Sequence, residues 1–158
     1  MLCIMTRWLD PEEQRTWRTF LAASQALMET LDRELQHDAG MPHAYYVILV
    51  HLSEAPDRRL RMSELAEAAG SSRSRLSHAV GRLEQSGWVR REDCPTDRRG
   101  QLAVLTDQGF AALAAAAPGH VEGVRRHLFD PLSPAQIDQL RRISEALVDH
   151  LDPKRPAS

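Results

Sequence analysis

Residues 62–109 read MSELAEAAGSSRSRLSHAVGRLEQSGWVRREDCPTDRRGQLAVLTDQG, and the punctuation of this stretch decides the fold. Ser63 with Glu64 starts a short helix carrying Leu65, Ala66 and Ala69, and Gly70 suits the left-handed turn that ends it. Ser71 or Ser72 caps the next helix, predicted over about residues 72–86, whose inward face is Leu76, Ala79, Val80 and Leu83, with Gly87 just past its end. Two short helices joined by a tight glycine turn form a helix-turn-helix. Directly afterwards Trp88-Val89-Arg90-Arg91 and Leu102-Ala103-Val104-Leu105 read as two strands, and the polar residues 92–100 between them read as a hairpin loop, a wing spanning about 88–105.

Long helices flank this lobe. Asp10-Pro11-Glu12-Glu13 is a helix start: Asp10 accepts orphan amide hydrogens, Pro11 presets the first turn, and the glutamates oppose the positive end of the dipole. Trp17, Phe20, Leu21, Leu27, Met28, Leu31 and Leu35 recur at helical spacing until Gly40 and Pro42 stop the pattern. Pro42 opens a second helix with a stripe of Tyr45, Ile48, Leu49 and Leu52 that ends near Ala55-Pro56-Asp57. After the wing, Thr106 starts a helix with Phe110, Leu113, Ala114, Ala117, Val121, Val124 and Leu128 on one side, where Pro118-Gly119 should kink or interrupt it. Ser133-Pro134-Ala135-Gln136 carries the reciprocal capping pattern for a last helix, whose stripe is Ile137, Leu140, Ile143, Leu147 and Leu151. Residues 152–158 should fray.

The predicted organisation is therefore an N-terminal helix over residues 1–40, a winged helix-turn-helix lobe over 41–105, C-terminal helices over 106–151 and a flexible tail. The class is mainly α, made α+β by the wing. A chain of 158 residues with 42% hydrophobic and 27% charged residues can bury a core without staples. Cys3 and Cys94 are far apart and outside any CxxC pair, which excludes a disulfide framework or a zinc knot and fits a reducing cytoplasm. No stretch approaches the ~18 uninterrupted apolar residues of a membrane span, so secretion and membrane insertion are not expected.

The net charge of −2 hides a division along the chain. Residues 58–100 hold ten arginines against six acids, +4, which leaves −6 for the remainder. A basic middle on an acidic frame suits a polyanion, although a solvated arginine-rich face gives the same count. Nineteen of the twenty cations are arginine, so the choice of arginine at any one site is partly a bias of composition. An enzyme is not expected: there is no glycine-rich phosphate loop, no nucleophile elbow, and no carboxylate pair in an apolar setting.

The order of elements, the run Asp97-Arg98-Arg99 followed six residues later by Thr106-Asp107-Gln108-Gly109, and the pieces Met62-Ser63-Glu64-Leu65-Ala66, Ser72-Arg73-Ser74-Arg75-Leu76-Ser77-His78 and Arg82-Leu83-Glu84 resemble the MarR family of bacterial winged-helix transcriptional regulators. The resemblance covers about residues 40–110 and implies a regulator of transcription, a repressor in the first instance, bound to double-stranded operator DNA. In such a motif the second helix lies in the major groove with its N-terminal side chains at base edges. Here those are Arg73, Ser74, Arg75, Ser77 and His78. An arginine fork donating two bonds to guanine is worth roughly 1–3 kcal/mol of discrimination. Ser63 and Ser72, at helix starts, either hold phosphate or simply cap their helices. Arg82 either reaches the DNA backbone or pairs near Glu84, and Arg90 and Arg91 alternate, so that only one faces DNA. On the family analogy Arg99 enters the minor groove, Asp97 orients it by a charge-assisted bond, and Arg98 meets phosphate.

One lobe touches too few base pairs to be selective, and a two-fold homodimer reading a palindrome solves this. The terminal helices would supply its surface, or else complete one subunit's core. The resemblance also implies a small aromatic effector at the junction of arms and lobe, with Trp17, His43, Tyr45 and Tyr46 as candidate liners by position, against the plain alternative that they are core. No cofactor is required. Zinc stays open if His37, His43 and His120 converge, although no paired-histidine motif occurs. A redox switch would rest on Cys94, expected to be exposed in the wing, or on Cys3. A winged helix that binds protein instead of DNA would call for an apolar recognition helix, and this one is cationic.

Overall fold

The computed structural model describes residues 6–94 and 97–151, with the side chains of residues 97–99 outside that description. Cys3 and residues 152–158, expected to fray, also lie outside the described residues. Helix α1 (Pro11–Ala39) starts on a reciprocal box: Asp10 Oδ1 accepts from the Glu13 N–H at 2.8 Å, and Glu13 Oε2 accepts from the Asp10 N–H at 2.9 Å. It ends at Gly40, whose φ of 62° is the left-handed turn glycine adopts without strain. Helix α2 (His43–Glu54) follows, with Pro42 at the cap position and not inside the first turn, and with Tyr46 buried where the stripe had named Tyr45.

A short strand β1 (Arg59–Arg61), which the sequence reading did not foresee, precedes α3 (Met62–Ala68). It follows a turn in which Asp57 and Arg58 both take positive φ, so three residues of arginine-rich chain find a strand partner that their own composition does not announce. Because α3 starts at Met62, Ser63 lies within its first turn and does not cap it; the Glu64 carboxylate instead accepts the Arg61 N–H at 3.1 Å. Helix α4 (Arg73–Gln85) is capped by Ser72, whose Oγ accepts the Arg75 N–H at 3.3 Å, and Gly87 at φ 72° turns the chain into the sheet.

Strands β2 (Val89–Cys94) and β3 (Asp97–Leu105) are both longer than predicted. Most of the polar stretch expected to be loop continues the ladder, because antiparallel pairing satisfies the backbone whatever the side chains are. The sheet order is β1-β3-β2, with Leu60 opposite Ala103 and Arg91 opposite the same alanine on the other side. Cys94, expected at the surface, is buried at the far end of β2.

Helix α5 (Asp107–Val124) continues through Pro118, so the proline does not interrupt it. Pro118 and Ala114, the residue whose carbonyl loses its donor, both face outward, so water can satisfy that oxygen. Five residues, Arg125–Phe129, then turn π-helical. The buried face of α5 is Gly109, Leu113, Ala116 and Gly123, and Phe110 and Val121 of the predicted face are exposed. Helix α6 (Pro134–Leu151) starts on the predicted box, with Gln136 Oε1 accepting the Ser133 N–H at 2.9 Å. It buries no residue.

The core lies in the lobe. Met41, Leu49, Leu52, Leu65, Leu76, Val80 and Leu83 lose essentially all contact with solvent, and the burial of each such side chain contributes about 1.5–3 kcal/mol. Leu35 from α1 and Leu113 and Ala116 from α5 join that cluster, which fastens the inner ends of the arms to the lobe. No helix among the described residues is long and apolar enough to cross a membrane.

Candidate nucleic-acid interface

Leu76, Val80 and Leu83 point α4 into the core, and this rotation turns Arg73, Ser74, Arg75, Ser77, His78 and Arg82 outward, all exposed. The exposed residues do not form one patch. Arg73 and Ser77 line a polar hollow of about 410 Å³ shared with Arg61 and Ser63 at the start of α3 and with Gly100 and Gln101 of β3. Helix-turn-helix and wing thus meet at a single concave surface. Arg75 borders a second hollow, of about 680 Å³, between α1, α2 and the turn after α3, lined also by Met28, Asp32, His43, Ile48 and Ala79.

Other arginines of the basic stretch are committed within the lobe. Arg58 lies 4.0 Å above the centre of the Phe110 ring and 3.3 Å from Asp107 Oδ1. Arg90 and Arg59 share Glu92, at 2.7 Å and 3.9 Å. Arg91 is bound to Glu84 and Ser77 of α4. Arg82 donates to Gln85 Oε1 at 3.3 Å, an intrahelical partner of the expected kind but not Glu84 itself. Arg73 and Arg75 have no acidic partner among the described residues. The committed arginines could not be separated from the outward ones by composition; the strand register separates them. The proposed roles of Asp97, Arg98 and Arg99 fall on side chains outside the described residues, although the β3 backbone places all three at the distal end of the hairpin.

The family motif has a local explanation. Thr106 Oγ1 accepts the Gly109 N–H at 3.0 Å and so caps α5, and it lies 2.7 Å from the Gly87 carbonyl oxygen, to which it donates. A side chain at Gly109 would collide with the Trp88 carbonyl oxygen. A threonine closing the wing and a glycine three residues later are thus required for α5 to leave the sheet at this angle.

Of the four candidate effector liners, the structure brings His43 and Tyr46 together, their rings stacked at 6.4 Å, and places Trp17 elsewhere, on the outer part of α1. Trp17 stacks on Phe20 at 6.5 Å and lines an apolar hollow with Ile143 and Leu147 of α6. His43 borders the 680 Å³ hollow, whereas Tyr46 is buried behind it and Tyr45 is half-buried in the lobe. His43, Tyr46 and His120 form an aromatic cluster, with His120 centred 5.3 Å from His43 and 4.4 Å from Tyr46. Burial lowers the pKa of both histidines, opposed at His43 by Asp32 and reinforced at His120 by His43, and burial raises that of the Tyr46 phenol. Nearby, the hydrogen bond from His127 holds the Glu34 carboxyl below its ordinary range. His37 is exposed, away from the other two histidines, and no group of three or more metal-ligating side chains occurs among the described residues.

A helix-turn-helix whose second helix presents cations beside a two-stranded wing defines a winged-helix protein. The family model described as the MarR family matches residues 39–100. Sco3205 of Streptomyces coelicolor, a MarR family transcriptional regulator crystallised in complex with DNA, is 56% identical over 94% of this chain and 93% of its own, with a TM-score of 0.90. The transcriptional regulator HosA of Escherichia coli O111:H- is 32% identical over 111 residues, 60% of this chain and 81% of HosA. The transcriptional repressor MprA of Escherichia coli K12 is 29% identical over 126 residues, 80% of this chain and 70% of MprA. The chain belongs to the MarR family of transcriptional regulators, and these relatives are regulators, not enzymes.

Proposed function

We propose that the protein is a repressor that binds a palindromic operator in double-stranded DNA as a homodimer and is released by a small-molecule effector. The observation that carries this reading is the meeting of Arg73 and Ser77 of α4 with the start of α3 and the wing at one concave surface. A relative of 56% identity crystallised in complex with DNA supports the nucleic acid as partner, and MprA, a repressor, supports the sign of regulation. Arg73, Ser74, Arg75, Ser77 and His78 face the major groove, with Ser63, Ser72 and Arg82 near phosphates. Arg99 enters the minor groove with Asp97 orienting it and Arg98 on phosphate. The apolar outer faces of α1 and α6 support the homodimer, since Trp17 is 52% and Ile143 57% exposed.

The hollow between α1, α2 and the turn after α3 is the candidate effector site, because it reaches both an arm and Arg75. An effector acts there only through different affinity for two spacings of the paired recognition helices. Selection of bound duplexes from a random pool by the purified protein tests the function: a two-fold site with half-sites about one helical turn apart is the expected result. Arg99→Ala should lose preference mainly at flanking A·T positions, and Arg75→Ala should relax choice within the half-site. Failure to bind any duplex at low salt overturns the reading.

A further inference from the structure

Arg91 differs from Arg90, its neighbour on the wing. Alternation along β2 turns Arg90 outward and Arg91 toward α4. There its Nη2 donates to the Ser77 carbonyl oxygen at 2.8 Å and lies 3.4 Å from Ser77 Oγ. Its Nε lies 3.3 Å from Glu84 Oε2, an ion pair without the alignment of a hydrogen bond. The backbone N–H of the same residue donates to the other Glu84 oxygen at 3.1 Å. In the sheet order β2 is an edge strand, so this amide would otherwise be unpaired on the strand's open side.

The grip runs from Ser77 to Glu84 of α4, about 10 Å along the helix axis. Ser77, Gly81 and Glu84 fall on one helical face, and a Cβ at Gly81 would stand 4.0 Å from Arg91 Nη2, so the guanidinium lies across the helix at its glycine. Two anchor points two turns apart fix the rotation of α4 about its own axis as well as its distance from the strand. The covalent connection between α4 and β2 is Ser86-Gly87-Trp88, with Gly87 left-handed and the Trp88 N–H donating back to the Leu83 carbonyl oxygen at 2.9 Å; this joint holds the end of α4, and the Arg91 grip adds a hold two turns further up the helix.

We propose that Arg91 is a positioning residue and not a DNA contact: with Glu84 it locks the recognition helix to the wing, and so sets the number of base pairs between the major-groove and minor-groove positions read by one subunit. This rests on the proposed DNA-binding function. It adds that specificity has a ruler component that no base-contacting residue supplies. Loosening the lock should leave phosphate attraction in place and blur the spacing.

The test uses the full chain and a duplex selected by the parent protein. In further duplexes, one base pair is inserted or deleted between each half-site and its flanking A·T segment. The parent should bind these altered duplexes at least thirtyfold more weakly than the selected one. Arg91→Met keeps an unbranched apolar stem and removes the guanidinium with its donors. It should bind the selected duplex about tenfold more weakly, discriminate less than fivefold among spacings, and keep the parent's salt slope. Glu84→Gln, which keeps the acceptor for the Arg91 amide and loses the charge, should move the same way by about threefold, and it decides the matter if Arg91→Met does not fold.

A salt slope reduced by about one unit, with all duplexes weakened alike, would mark Arg91 as a phosphate contact and overturn the proposal. Spacing dependence unchanged in both variants overturns it too. Absence of any DNA binding is read from the parent alone, and it removes the proposed function and this inference together.

Discussion

The lobe and the arms of this subunit are finished to different degrees. In the lobe, α2, α3, α4 and the sheet enclose seven side chains with almost no solvent contact, and α4 is held by its cap and by an ion pair to the sheet. In the arms, α6 buries nothing and the outer two-thirds of α1 buries nothing before Leu31, although both carry regular apolar stripes. The difference teaches that a sequence can specify a helix as strongly in an arm as in a core and still leave its apolar face uncovered within the chain, which is where the proposed dimer would form.

The largest effect that would break this contrast belongs to the lobe. Gly109→Ala forces a methyl group against the Trp88 carbonyl and to 2.8 Å from Leu105 Cδ1. It should cost about 3 kcal/mol, read as a lower denaturant midpoint at unchanged slope. A neutral Gly109→Ala would mean that α5 leaves the sheet less tightly than described. Next, Ile143→Asp combined with Leu147→Asp should convert the proposed dimer to monomer in sedimentation and weaken binding to the selected duplex at least a hundredfold, while the circular dichroism of the lobe stays intact. A dimer that survives both charges places the interface elsewhere.

Two cap substitutions sharpen the contrast further. Ser72→Ala removes the acceptor for the Arg75 N–H at the start of a packed helix and should cost about 1 kcal/mol of unfolding free energy. Ser133→Ala removes the equivalent acceptor for the Gln136 N–H in α6. At low protein concentration it should change the global midpoint by under about 0.5 kcal/mol, because fraying of an unpacked helix is not coupled to unfolding of the lobe. The difference between the two caps should shrink as concentration rises.

The smallest effect concerns pH. His43 and His120 have depressed pKa values in the folded state, so below about pH 6.5 the unfolded chain takes up protons more readily, and stability falls as pH drops through the folded values. Asp32 faces His43, and Tyr46 packs against His120. Thermal midpoints taken between pH 7.5 and 5.5 should decline, and His120→Gln should flatten the decline. An unchanged slope in that variant assigns the pH dependence to other groups.

What was legible in the sequence was local and chemical. Asp10, Ser72, Thr106 and Ser133 each announce a helix start because capping is decided within four residues, and all four caps form as read. The core face of α4 followed from spacing for the same reason. What escaped depends on partners far along the chain. Strand β1 exists only because β3 offers it an edge, and Arg59-Leu60-Arg61 carries no strand signature of its own. Cys94 is buried because the ladder continues past the point where the polar sequence suggested a loop. The candidate site was legible as a list of cations but not as a geometry. Arg73 and Arg75 look equivalent in the sequence, yet they open onto different hollows, and Arg91 looks like a DNA-facing residue until Glu84 and Ser77 are seen beneath it.

The Thr106 hydroxyl ties the first turn of α5 to the last carbonyls before β2, so no slack chain separates the hairpin from the rod that leads into the arms. A helix of 18 residues is about 27 Å long. Pivoting it by about 4° about that end carries the far end sideways by about 2 Å, by the same rod length. The threonine is therefore a fulcrum, and a modest shift where two subunits would meet arrives at the hairpin as a change of angle rather than being absorbed on the way.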